Sequence, residues 1–154
     1  MLKLFPFLFI PIFVGLADWP QYHGPFWDKS TGTNISSTNQ LNPSPRVIWR
    51  SPTPLGFSSF SIEDDSAFTL VAEEDEDGLL REVCIALELA SGKRIWQQKL
   101  QMASYGHGGG NAGTKNNSGG DGPRSTPSVK NGRVFIYDSS MRLHCLSAES
   151  GDRI

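Results

Sequence analysis

From residue 46 onward the chain alternates short apolar runs with clusters of turn-forming residues. RVIWR (46–50) is the first stretch that reads as a strand. FSSFSI (57–62), AFTLVAE (67–73), LLREVCIAL (79–87) and RIWQQKL (94–100) follow it. Between them lie Glu63-Asp64-Asp65-Ser66, Asp77-Gly78 and Ser91-Gly92-Lys93, all rich in residues that favour tight turns. No window keeps its apolar residues at a sustained helical period. Short strands punctuated by regular turns predict an all-β fold.

An internal repeat sharpens that expectation. CIALELASGKRI (84–95) aligns with LHCLSAESGDRI (143–154) at an offset of 59, matching Leu87 to Leu146, Gly92 to Gly151 and Arg94-Ile95 to Arg153-Ile154. Upstream, SIEDDSAFTL (61–70) aligns with SVKNGRVFIY (128–137) at an offset of 67. The difference of eight residues predicts an insertion in the first copy, placed at the acidic EEDED (73–77). Each unit then reads as strand, turn, strand, turn, strand, Ser-Gly turn, strand. A four-stranded antiparallel sheet repeated along the chain is the pattern of β-propeller blades. Gly92 and Gly151 supply the positive φ that the Ser-Gly turn needs. Trp96, four residues after Gly92, is expected to dock on the neighbouring unit and bury area worth a few kcal/mol. The second copy stops at Ile154, one residue before the matching Trp, which predicts an incomplete propeller of about two blades plus an N-terminal arm.

Residues 1–17 read as a signal peptide: Lys3, an apolar run from Leu4 to Leu16, and a small-residue end at Gly15-Leu16-Ala17. The run is shorter than the roughly 20 residues of a spanning helix. The expectation is an exported protein, periplasmic or extracellular, with no membrane span once the signal is removed. Residues 18–45 form a Ser/Thr/Asn/Pro-rich arm, and residues 46–154 form the partial propeller. The arm's aromatic residues are expected to pin it: Tyr22, His23 and Trp27 read as a strap packed on the propeller, with a partner surface as the competing reading. The net charge of −2 without a basic patch excludes a nucleic-acid partner. Cys84 and Cys145 allow either a disulfide in an oxidising compartment or two buried thiols.

The Ser-Gly segments ALELASGKRIW (86–96) and CLSAESGDRI (145–154) resemble the pyrroloquinoline-quinone-like (PQQ-like) repeat, whose pattern is approximately A/C-L-D-A-x-T-G-x-x-x-W. DWPQYHGPFWDKSTG (18–32) resembles the W-P-Q-F-R-G-P opening of exported bacterial proteins of this type. GDGPRSTPSVKNGRVFIYDSSMRLHCL (120–146) resembles their G-D-G-P-R-A-T-P segment. The resemblance implies a propeller of about eight blades in full-length members, with residues 46–50 as a strand completing the last blade. It leads to two functional branches. Quinoprotein alcohol dehydrogenases bind pyrroloquinoline quinone with calcium, stack it against a vicinal cysteine disulfide, and use an aspartate base. Outer-membrane assembly factor B is a non-enzymatic lipoprotein scaffold. This sequence has no adjacent cysteine pair, and its signal segment ends without a cysteine to lipidate. The expectation is therefore a binding scaffold in the cell envelope, with a protein or saccharide partner, no assigned catalytic residue and no cofactor. The alternative is part of a quinoprotein-type dehydrogenase, with pyrroloquinoline quinone and calcium, whose catalytic blades lie beyond this chain.

The glycine-rich stretch 105–127 holds eight of the sixteen glycines. Gly108-x-Gly110-x-x-Gly113 lacks the flanking strand and helix of a dinucleotide site. Gly113-Thr114-Lys115 lacks the order of a phosphate-binding loop. The segment reads as a long inter-blade loop whose His107, Asn111, Asp121 and Arg124 are candidate ligand-lining residues. The competing reading is that Asp121 and Arg124 hold a Gly-Pro turn. The acidic run 73–77 reads as a solvated hairpin tip, and no metal site is predicted.

Overall fold

A computed structural model describes residues 18–31, 44, 46–103, 105 and 122–154. The predicted signal segment 1–17 and the glycine-rich residues 106–121 lie outside the described residues. The described residues are all-β and contain no helix. Strands β1 (Ser61–Glu63), β2 (Ser66–Glu74), β3 (Leu80–Glu88) and β4 (Arg94–Met102) make one antiparallel sheet in that order. Strands β5 (Ser128–Lys130), β6 (Arg133–Tyr137) and β7 (Leu143–Ser147) make a second.

Side-chain alternation explains how the sheets meet. Phe68, Leu70, Cys84, Ala86 and Leu100 of the first sheet share a core with Val129, Val134, Ile136 and Leu146 of the second. Val71, Val83, Ile85 and Leu87 form a separate buried cluster. In β3, Val83, Ile85 and Leu87 alternate with Cys84 and Ala86, so the strand is buried on both faces. That is why it reads as a continuous apolar run. Both cysteines are free. Cys84 lies in the shared core, whereas Cys145 is one residue out of phase with the buried Leu146 and belongs to the opposite face of its sheet.

The two sheets repeat several turn bonds. Leu89 N donates to Asp65 O, and Ala148 N donates to Gly132 O. Gly92 N donates to Glu88 O, and Gly151 N to Ser147 O. Leu87 pairs with Arg94 as Leu146 pairs with Arg153. The β2–β3 hairpin closes through Asp75 N to Leu79 O and Gly78 N to Asp75 O. The β6–β7 hairpin closes through Asp138 N to Arg142 O and Met141 N to Asp138 O.

This equivalence corrects the expected insertion. β2 and β3 have nine residues each, β6 and β7 five each. The eight extra residues enter as four per strand, and the Asp-led turn at the tip is a shared feature of both units. Equal even lengthening of paired strands preserves register and facing, whereas a one-residue slip would turn every side chain over.

RVIWR is not a strand: residues 46–50 pair with no ladder and serve to place Trp49. Trp49 Nε1 donates to Leu89 O at 2.8 Å, and its ring lies on Gly92. Trp96 does the same one unit later, donating to Ala148 O at 2.9 Å with its ring on Gly151. A Cβ at Gly92 would stand 2.4 Å from Trp49, and one at Gly151 would stand 2.7 Å from Trp96. Both glycines hold left-handed φ, +70° and +79°. FSSFSI also begins its ladder late, at Ser61. Ahead of it, Leu70 N donates to Ser58 Oγ and Thr69 Oγ1 to Ser59 O, so hydroxyl bonds replace regular pairing.

The arm docks across the free edges of β1 and β5. Trp19 exchanges backbone bonds with Ile62 at 3.0 and 2.8 Å, and Pro20 O accepts Val129 N at 2.8 Å. These bonds satisfy edge groups that would otherwise remain open for pairing.

Gly92→Ala and Gly151→Ala are each expected to cost roughly 2–4 kcal/mol, the left-handed backbone penalty plus displacement of a ring. Gly78→Ala has the same backbone sign, φ +73°, but its Cβ would meet nothing within 4 Å. It is expected to cost only the backbone part, about 1–2 kcal/mol. Urea unfolding of the three variants measures the difference.

Candidate functional site

Of the four loop residues singled out in the sequence, His107, Asn111 and Asp121 lie outside the described residues. Arg124 is exposed just ahead of β5. Its guanidinium lies 4.9 Å from the centre of the Phe57 ring, and Nη1 reaches Gly122 O at 3.4 Å. Phe57 N donates to Pro123 O at 2.8 Å, so the Gly-Pro segment is tied to the chain leading into β1. Arg124 stacks over this crossing and also borders a groove.

The groove forms between the arm and β5. Within the arm, Gly24 N donates to Gln21 O at 2.9 Å and Gln21 Nε2 donates to Gly24 O at 3.0 Å. Lys29 N closes a wider turn onto His23 O at 3.0 Å. Trp19 turns inward, with its ring against Gly24. The rings that follow turn outward: Tyr22, Phe26 and Trp27 are 61%, 63% and 68% exposed. This overturns the expected strap for Tyr22 and Trp27, while His23 is half-buried with its ring 4.6 Å from that of Tyr22. Two hydrogen bonds between Gln21 and Gly24 reverse the chain at once, and of the arm's two indoles only that of Trp19 is left on the inner side. Trp27 also holds a left-handed φ of +59°, a conformation that costs a bulky residue about 1–3 kcal/mol.

Two adjoining hollows flank Trp27 and share Gln21 and Ser128. The smaller, about 230 Å³, is bordered by Tyr22, Arg124 and Thr126. The larger, about 600 Å³, is bordered by Asp18, Pro20, Glu63, Lys130 and Phe135. That volume falls within the range of about 300–1,000 Å³ typical of small-molecule sites. The larger hollow sets Asp18 and Glu63 against Lys130 alone, and Arg124 of the smaller one brings the two together to charge balance. Glu63 Oε2 accepts Gly132 N at 3.0 Å and Asp18 Oδ1 accepts Asp64 N at 3.2 Å, which fixes both carboxylates at the rim. Gln21, Ser128 and Lys130 fall within the stretches that carry the family resemblance, but nothing in them singled these side chains out as a site. They converge only because the arm crosses from β1 to β5.

A second cluster contains titratable groups but reads as architecture. Asp138 is buried; its Oδ1 accepts Ser140 N at 2.9 Å and Arg142 N at 3.0 Å, and its Oδ2 meets His144 Nε2 at 2.7 Å. In the other unit, Asp75 Oδ1 accepts Asp77 N at 3.0 Å and Leu79 N at 2.9 Å, while Oδ2 pairs with Arg81. One carboxylate clamp therefore holds both hairpin tips, with His144 and Arg81 interchangeable as its side-chain partner. An arrangement that works equally well with arginine is a turn clamp and not an acid–base pair. Burial works against the charge on Asp138, but bonds from His144 and from the Arg142 and Ser140 amides outweigh it and hold the carboxyl below its usual range. For Asp75, the Leu79 amide and then Arg81 act in the same direction. The carboxylate of Asp75, at the head of the acidic tip, is thus saturated with donors. No group of three or more metal-ligating side chains occurs among the described residues.

Glu82 is 2% exposed and accepts Ser139 N at 2.7 Å, linking β3 to the β6–β7 turn. Tyr105 reaches its other oxygen at 3.4 Å. Burial pushes the Cys84 thiol far above its usual range, which leaves it inert as a nucleophile. Neither a protein-family model nor a curated protein matches the chain.

Asp138→Ala is expected to cost about 2–3 kcal/mol by removing a buried, charged acceptor of several hydrogen bonds. The folded-state pKa of Asp138 lies below its unfolded value. Its contribution is therefore complete above about pH 4 and lost as pH falls below that. Melting curves from pH 6 down to pH 2.5 are expected to show a shallower acid decline in Asp138→Asn than in the parent.

Proposed function

We propose that this chain is a segment of an exported β-propeller of the PQQ-like repeat type, acting as a binding scaffold in the cell envelope. The observation that carries the reading is the duplicated docking of Trp49 on Gly92 and Trp96 on Gly151. Each tryptophan reaches the Ser-Gly turn of the next unit in sequence, which is the connection that a radial series of sheets requires. The groove beside the arm supplies a place for a protein or saccharide partner.

The quinoprotein alternative is tested directly. The purified chain is incubated with pyrroloquinoline quinone and calcium, then assayed for dye-linked oxidation of primary alcohols. No cofactor retention on dialysis and no dye reduction are expected, together with co-sedimentation of the chain with isolated cell-envelope material. Quinone-dependent turnover would replace the scaffold reading with the dehydrogenase one. Absence of both turnover and co-sedimentation would overturn the scaffold reading outright.

A further inference from the structure

We infer that the groove between the arm and β5 is a binding site for a neutral oligosaccharide, with Trp27 as its stacking platform. The inference deepens the scaffold reading and rests on it. Three rings within six residues, Tyr22, Phe26 and Trp27, stand in solvent on a turn closed by its own hydrogen bonds. Trp27 borders both hollows, so a ligand that spans them passes its indole. On either side stand neutral and charged hydrogen-bonding groups, chiefly Gln21, Ser128, Thr126, Asp18 and Lys130. A pyranose chain has the matching surface, because its C–H face is apolar and its rim of hydroxyls both donates and accepts. Aromatic residues with an apolar body and a polar surround suit such amphipathic ligands.

Other occupants fit this groove less well. A polyanion would meet the carboxylates of Asp18 and Glu63, and a polycation would meet Arg124 and Lys130. An acyl chain would leave those four charged groups desolvated and unpaired. A peptide strand would need a free sheet edge, but Trp19 and Pro20 already occupy the edges of β1 and β5 here.

The test uses the full chain and three neutral probes: cellotetraose, maltotetraose and the tetramer of N-acetylglucosamine. Calorimetry measures affinity, and acrylamide quenching reports whether the ligand shields Trp27. One of the probes is expected to bind and protect the exposed indole. Trp27→Ala is expected to weaken that binding at least about tenfold and Ser128→Ala about threefold, with the melting temperature unchanged in both. Trp27→Phe, which keeps a stacking face, is expected to retain most of the affinity. Failure of all three probes at millimolar concentration overturns the inference, as does binding that Trp27→Ala leaves intact. Anionic vesicles serve as a further probe, and binding to them alone overturns it too. If the probes fail while the chain still co-sediments with envelope material, the saccharide site is wrong and the scaffold reading stands. If both fail, the scaffold reading falls with it.

Discussion

An indole laid on a glycine, with its N–H given to a carbonyl three residues earlier, is the contact on which the arrangement of the two sheets depends. The apolar core they share is non-directional and would tolerate sliding. The Trp96 bond to Ala148 O would not, because a displaced indole loses both its acceptor and the flat seat on Gly151. Two further bonds complete a three-point attachment. Glu82 accepts the Ser139 amide, and Arg153 Nη2 reaches Leu100 O at 3.2 Å. Each joins the first sheet to the second, so their relative position is set by directional contacts around an apolar centre.

The same economy governs the hairpins. A carboxylate at the end of the first long strand collects two amides and one cationic or imidazole side chain, and the tip needs nothing else to hold its shape. With the tip self-contained, the strands behind it can lengthen by four residues without disturbing turn or register. This is why the first unit projects further than the second while the amide bonds of Gly92 and Leu89 recur at Gly151 and Ala148. It also explains how an acidic cluster came to stand at a hairpin tip. Asp75 belongs to the clamp, Glu73 pairs with Arg94 at 2.8 Å, and Glu74, Glu76 and Asp77 face solvent.

The strands and turns were legible because each leaves a local mark. Alternation in β6, a continuous apolar run in β3 and Gly92 after Ser91 all act through their own backbone or the adjacent strand. The repeat was legible because two copies share one geometry. RVIWR was misread because Val47, Ile48 and Trp49 have the composition of a strand, while the partner strand that would make them one is absent from the described residues. The acidic insertion was misplaced because an alignment reports only the total length difference, and symmetric lengthening looks the same as one insertion between the strands. The arm was the hardest part. Trp19 and Trp27 are the same residue type eight positions apart, yet one is seated on Gly24 and the other stands in solvent. What separates them is the reversal at Gln21–Gly24, which begins directly after Pro20 bonds to Val129 of the second sheet.

That reversal ties the candidate site to the fold. Trp19 pairs with Ile62 of the first sheet and Pro20 with Val129 of the second, so the arm can take its course only when the two sheets already stand in their docked relation. The groove is the space left where the arm departs from β5, and its polar lining comes from three separate parts of the chain. A displaced Trp96 would therefore disturb the groove without touching any residue in it. Binding at Trp27 and docking at Gly151 are in this sense coupled. The ligand would add contacts to an arm whose seat already spans both sheets, and so would favour the docked arrangement over any in which they separate.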